Sequence, residues 1–447
     1  MWQAGSLLII LSSLYVVLRQ VRHLRGDTLA ILAIALIWVR LAAAALGEVA
    51  LDTKIAGISL IALSTLAAAC VGLLLVPFQL VRNGWVAPFY VFVGFGVLSA
   101  VLNGAIGAVQ SFAVLWLYFI VVALLLYRAL LVHGPRTVLG CLMAVFALPF
   151  AMQLMSFLLN MPKVGPDGTL SYIGGYGHEA VYALVAVGAL WLAATYPWSR
   201  VSKGLAVVGA IVVGLLLANY RTIIIAILPL LLAYLLFRTG PSPARALRRS
   251  IIPVIVLAVL LPAILPENMG ARFAEIGSVV GDFGELTKRP EAYTASEKDL
   301  LSARAYIWSA YIYGFLDAEI PQLLIGHGPE ARAPGVTVHA HNEYLRILYE
   351  FGALGAILWF GTLLHHLVLA LRAQPLPVGA MTAAGFVTVA LAALGTSLFN
   401  RPEGIILLAL LCSTTWYLQD QRGSVPRRDA PRLRLGPGEP PAGPNLG

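Results

Sequence analysis

The sequence predicts an all-α, polytopic membrane protein with 12 or 13 spanning helices and one large extramembrane loop. Composition points there first: of 447 residues, 60% are hydrophobic and only 11% charged. A soluble surface needs far more charge than that. The second observation is that apolar runs of 15 to 24 residues recur along almost the whole chain. About 20 apolar residues cross a bilayer core as a helix, and a helix satisfies its own backbone where water is absent. The third is that charge sorts onto alternate loops.

Taken in order, the candidate spans are 4–18, 28–46, 55–76, 86–102, 105–127, 138–159, 179–195, 204–219, 222–237, 250–266, 343–371, 378–398 and 404–418. The first is short, which leaves it either a tilted span or an interfacial helix. It does not read as a cleaved leader, because Arg19, Arg22 and Arg25 follow the apolar run and no small-residue cleavage site precedes a mature domain. Arg40 is the main charge inside the spans.

One set of loops, with the C-terminal tail, holds 18 of the 30 basic residues, among them Arg82, Arg128, Arg136, Arg200, Lys203 and Arg372. The positive-inside rule makes these segments cytoplasmic. The opposite side receives 47–54, 160–178, 267–342 and 399–403, and with Glu179, Glu343 and Glu350 at its span edges it carries 17 of the 21 acidic residues. The net charge of +9 is mostly this asymmetry and gives no support for nucleic-acid binding. Cys70, Cys141 and Cys412 fall inside apolar spans, so they read as small buried hydrophobes rather than metal ligands or disulfide partners.

Four segments result: a bundle over 1–265, an outer loop over 266–340, C-terminal helices over 341–420 and a tail over 421–447. A loop this long is usually functional and seldom structureless. Its stretches LLSARAYIWSAYIYGFL and IGHGPEARAPG suggest local helix and turns. The Gly-rich segment 160–179 could fold over the same face. The tail is rich in Pro, Gly and Arg with almost nothing to bury, so it reads as disordered. No internal repeat is visible, and a single large loop argues against the matched halves of a transporter.

Polarity gathers at the outer boundary, above all in VHAHNEYLRILYEFGALGAILW, residues 338–359. Ionisable groups near membrane depth usually mark function. His341 is the group there best suited to move a proton near neutral pH. Asn342 can cap the helix or orient a ligand. A continuous helix places His341, Tyr344, Leu345, Leu348, Gly352 and Gly355 on one face, where the glycines would admit a neighbouring helix. His339, His178 and His327 read as capping or packing residues.

Three arginines lie near the same boundary: Arg221 between two apolar runs, Arg304 in the large loop, and Arg346 in the opening turns after His341. Arginine keeps its charge and forks onto phosphate oxygens, so two or three converging would make a diphosphate site. For Arg346, ion pairing with Glu343 and Glu350 at helical spacing is an equally direct reading.

The pattern H-N-x9-G-x-x-G, here His341, Asn342, Gly352 and Gly355, resembles the signature of the O-antigen ligase and O-antigen polymerase superfamily. Arg221, Arg304 with Trp308, and the G-x-G of Gly326 and Gly328 strengthen the resemblance, and the topology matches over roughly residues 20–420. The resemblance implies a bacterial inner-membrane enzyme with its site facing the periplasm. It would move a glycan from undecaprenyl diphosphate to an acceptor hydroxyl, with His341 as general base and Arg221, Arg304 and Arg346 on the diphosphate. Asn342, Tyr344 and His339 would support them. No metal, nucleotide or other cofactor is implied. Ligase and polymerase share the donor and differ in acceptor, lipid A-core for one and a second lipid-linked glycan for the other; the signature spacing favours the ligase. A transporter or flippase is the non-enzymatic alternative.

Overall fold

The computed structural model describes residues 2–55, 58–165, 168–238, 288–294, 297–299 and 303–424. Apart from two short antiparallel hairpins, Lys54–Ile55 with Ile58–Ser59 and Lys163–Val164 with Leu170–Ser171, the described elements are helical. The first half of the chain supplies α1 (Trp2–Val21), α2 (Thr28–Ala45), α3 (Glu48–Asp52), α4 (Leu60–Leu75), α5 (Phe78–Val81), α6 (Ala87–Leu102) and α7 (Ile106–Leu158). Then come α8 (Glu179–Thr195), α9 (Val201–Leu217), α10 (Arg221–Ala226) and α11 (Leu228–Arg238). Further along the chain follow α12 (Arg304–Leu316), α13 (Ile320–Ile325), α14 (Glu343–Leu371), α15 (Leu376–Ala392) and α16 (Pro402–Ser424).

The expected spans inside the described residues are helical over most of their length, although 55–76 begins in the first hairpin and 378–398 ends in turns after Ala392, and the all-α polytopic class holds. The expected span 250–266 and the start of the large loop lie outside them, as does the tail beyond Ser424; α16 itself continues four residues past the expected tail boundary. At 1.5 Å per residue, the 20 residues of α1 make about 30 Å, enough to cross a bilayer.

The long α7 lies against α16, α2, α1, α4 and α8 and so organises the bundle. It is two helices, broken at Gly134 (φ 73°, ψ 160°) ahead of Pro135, where two spans were expected to turn. At that arginine-rich end, Asp27 caps α2 through Leu29 N and Ala30 N and also accepts from Arg128 at 2.7 and 2.8 Å. One carboxylate thereby fixes the start of α2 and neutralises a cation of α7.

Two readings of the sequence need correction. Cys141 and Cys412 are buried as expected, but Cys70 is exposed on α4. And α14 is not one continuous helix. Gly352 adopts φ 65°, ψ −172°, so the face drawn from His341 to Gly355 is broken there. The physical reason is a backbone crossing. A Cβ at Gly352 would lie 2.4 Å from the Leu324 carbonyl carbon, and one at Gly326 would lie 2.3 Å from that of Glu350. The carbonyls freed by the break are taken up by the loop: His327 N donates to Tyr349 O (3.0 Å) and Gly328 N to Glu350 O (2.9 Å). Gly355 does serve close approach, to the ring of Phe95 on α6.

Candidate active site

The polar residues of the loop-bearing end are set by helix starts. The segment leading to α14 is held from above by α12. Trp308 Nε1 donates to Ala340 O at 2.8 Å, and Tyr311 Oη to Val338 O at 3.2 Å. Arg304 opens α12 one turn before Trp308, on the same helical face. Arg304 thereby comes near enough to the next residue, His341, for its charge to act on the imidazole.

His341 has a left-handed backbone, φ 49°, two residues before the helix begins. Asn342 is the N-cap: its side-chain oxygen accepts from Tyr344 N (3.0 Å) and Leu345 N (3.2 Å), the capping option of the two considered. Burial holds the His341 imidazole down to about 4, and the charges of Arg304 and Arg401, with His178, act the same way; Glu179 opposes them. The ring is therefore neutral at pH 7 and free to accept a proton.

The same electrostatics reveals the neighbours. His178 caps α8, its Nδ1 accepting from Ala180 N at 3.0 Å, and lies 3.6 Å from Glu179. Burial lowers its pKa, and Glu179, Arg401, Lys163 and Arg304 act on it. So the starts of α8, α12, α14 and α16 contribute His178 with Glu179, Arg304, His341 and Arg401 to one locality. Helix N-termini carry partial positive charge, which adds to the arginines' attraction for an anion. Arg401 was not singled out in the sequence. Its signal was there: an arginine in the short loop 399–403, on the side that carries 17 of the 21 acidic residues.

Arg221 opens α10 two residues after Asn219, which turns the chain at φ 54°. Tyr220 Oη donates to Gly395 O at 2.9 Å, and Glu343 N donates to Ala393 O at 2.8 Å. The starts of α10 and α14 are thus fastened to the same corner between α15 and α16. Tyr344 fastens it further, donating to Ala390 O at 2.9 Å and stacking on Phe360.

Arg346 is placed differently from the other arginines. It is 5% exposed, with Nε 3.2 Å from Glu343, Nη2 also on Glu343, and Nη1 2.6 Å from Glu350. This is the ion-paired alternative of the two sequence readings. His339 lies behind it, with Nδ1 3.9 Å from Glu350 Oε1. Burial, followed by the charge of Arg346, takes the His339 imidazole down to about 4.

This is a multi-pass α-helical membrane protein whose polar groups collect where helix starts meet a large loop. A family model described as O-antigen ligase matches residues 205–360. The match supports the O-antigen ligase and polymerase superfamily, and with it a membrane glycan-processing function of that type. It takes in Arg221, Arg304, His341, Arg346 and both glycines of the signature, and stops short of Arg401. No curated protein matches the chain.

Proposed function

We propose that the protein is an O-antigen ligase-type glycosyltransferase of the bacterial inner membrane, with its site facing the periplasm. It moves a glycan from undecaprenyl diphosphate to a hydroxyl of lipid A-core. The observation that carries this reading is the placement of His341, at φ 49° ahead of the Asn342 N-cap, with its neighbour Ala340 held by Trp308 of the helix that Arg304 opens. In the reaction, the acceptor hydroxyl oxygen forms a bond to the sugar's anomeric carbon while the bond from that carbon to the diphosphate oxygen breaks. His341 takes the hydroxyl proton, and the leaving diphosphate keeps the electron pair.

The arginines divide the remaining work. Arg304 and Arg221 hold the diphosphate and Arg401 adds its charge, so that negative charge developing on the leaving group meets fixed cations. A diphosphate between Arg304 and Arg401 also offsets the charges that depress His341. Donor binding then raises the basicity of the imidazole at the moment a proton must be accepted. Arg346 holds the base of the site through Glu343 and Glu350, while Asn342, Tyr344 and His339 position the opening turn of α14. Of the outer loop over 266–340, the described stretch 303–340 leads into this face, and the helices of 341–420 follow it.

The polymerase reading shares every step except the acceptor. Surface polysaccharide from a deletion strain separates them. Loss of all capped lipopolysaccharide, with long lipid-linked chains retained, is the ligase result; caps of a single repeat unit are the polymerase result. Translocation of lipid-linked glycan by the reconstituted protein, without any transfer product, would overturn both.

A further inference from the structure

Beside the site lies a cavity of about 260 Å³, bounded by α4, the start of α7, α14 and the 399–402 loop. Its charged and amide lining is Arg40, Arg346, Glu330, Glu350 and Asn400, with the hydroxyls of Thr65 and Ser111 beside them. Arg40 is 4% exposed and pairs with Glu403 at 2.6 Å. Its Nε and Nη1, Glu350 Oε1 and Asn400 Oδ1 are buried and make no hydrogen bond among the described residues. Unmade hydrogen bonds on buried groups are costly and usually have a reason. Here donors and acceptors are left over together.

That mixture selects the ligand chemistry. A phosphate offers only acceptors and would meet two arginines already engaged by Glu343, Glu350 and Glu403, with Glu330 close by. A hydroxyl both donates and accepts, so a polyhydroxyl compound matches arginine nitrogens and carboxylate or amide oxygens at once. The apolar walls include the rings of Phe112, Trp116, Phe351 and Phe399, which suit the C–H faces of a pyranose, along with aliphatic side chains such as Ile61 and Leu115. Ordinary small-molecule sites span about 300–1,000 Å³, so this one is sized for a single sugar unit rather than an oligosaccharide.

We propose that this cavity seats one neutral glycosyl unit, beside a cationic neighbour that takes the diphosphate. The proposal takes its substrate class from the glycan-transfer reading above. The two compartments adjoin through one short segment: Asn400 and Pro402 line the cavity, and the charge of Arg401 between them reaches His341. The bound sugar belongs either to the donor, next to its diphosphate, or to the acceptor.

Saturation-transfer NMR on the full chain in nanodiscs tests this, using methyl glucoside, methyl galactoside and methyl N-acetylglucosaminide as probes at millimolar concentration. Wild type should saturate at least one glycoside. Arg40→Lys keeps the charge beside Glu403 but removes the forked donors, and it and Asn400→Ala should each lower the signal at least threefold. Competition by glycosylated but not bare undecaprenyl diphosphate assigns the cavity to the donor sugar; competition by core oligosaccharide assigns it to the acceptor. No signal in wild type, equal signals in the variants, or displacement by inorganic pyrophosphate would overturn the proposal. Binding is read without turnover, so a protein that binds glycosides but transfers nothing refutes only the catalytic reading, and the reverse result refutes only the cavity.

Discussion

Gly326 and Gly352 cross back to back: a Cβ on Gly352 would stand 2.5 Å from the backbone nitrogen of Gly326. Both have positive φ, 76° and 65°. This contact docks the loop onto the break in α14, and Ser99 and Asn103 at the end of α6 clamp it by donating to Ile325 O and Gly326 O. Gly352→Ala forces an L side chain into strained backbone, at a cost of about 1–3 kcal/mol before any clash. Thermal unfolding in detergent should show that loss, and transfer should fall with it. Gly361→Ala, a site with open space around it, serves as the control and should leave both unchanged.

Replacing Arg346 distinguishes an ion-paired positioning residue from a phosphate ligand. Arg346→Ala leaves Glu343 and Glu350 buried without their partner, and breaking such a pair costs about 3–5 kcal/mol. The variant should therefore lose folded protein, measured by size-exclusion yield and unfolding temperature. Adding Glu343→Gln and Glu350→Gln should restore much of it. A stable Arg346→Ala protein with only a raised donor KM would contradict this assignment.

The pH profile reports on His341. The base form is the neutral ring, so kcat/KM should hold as pH falls and drop only toward about 4. Arg304→Gln removes a charge that disfavours the imidazolium, so the acid limb should move upward, toward the ordinary histidine value of about 6.5. The variant would then lose proportionally more activity at pH 5 than at pH 8, beyond any loss of donor affinity. An unmoved acid limb would separate Arg304 from His341.

Stability should follow the same groups. His178, His339 and His341 are all held below their ordinary value, the latter two to about 4. Between about 4 and 6.5 the unfolded chain binds the more protons, so folding weakens as pH falls through that window. Unfolding temperature measured from pH 7 to pH 4 should fall, and His339→Gln should flatten the fall.

Trp308→Phe keeps the ring and removes the donor to Ala340 O. A hydrogen bond of this kind is worth about 0.5–1.5 kcal/mol, so kcat should fall about 2- to 13-fold with donor KM little changed. A change in KM alone would place Trp308 on the substrate instead.

Most of this architecture was legible in apolar run length and arginine placement, because a bilayer leaves a helix few alternatives. The break between α9 and α10 was visible as Arg221 between two apolar runs, and that in α7 as the arginines flanking Gly134. The break in α14 was hidden. Gly352 sits at the head of an apolar run with no turn signal around it, and the segment that forces it open, around Gly326, lies 26 residues earlier in the sequence. The site was half visible for the same reason. His341, Asn342 and the arginines announce themselves as polarity beside apolar helix, whereas Arg401 and Glu179 join His341 only through the folding of separate helix starts. Periodicity along one segment carries no information about such meetings.

The central claim is that His341 accepts the acceptor's proton while neighbouring arginines hold the diphosphate. Its most direct test is the transfer rate of His341→Ala in proteoliposomes supplied with lipid-linked donor, with donor binding and unfolding temperature measured on the same preparation. A positioned general base contributes about 10²–10⁴-fold, so the rate should fall by that order while donor binding and folding persist. Transfer at the wild-type rate by a folded His341→Ala protein would contradict the account.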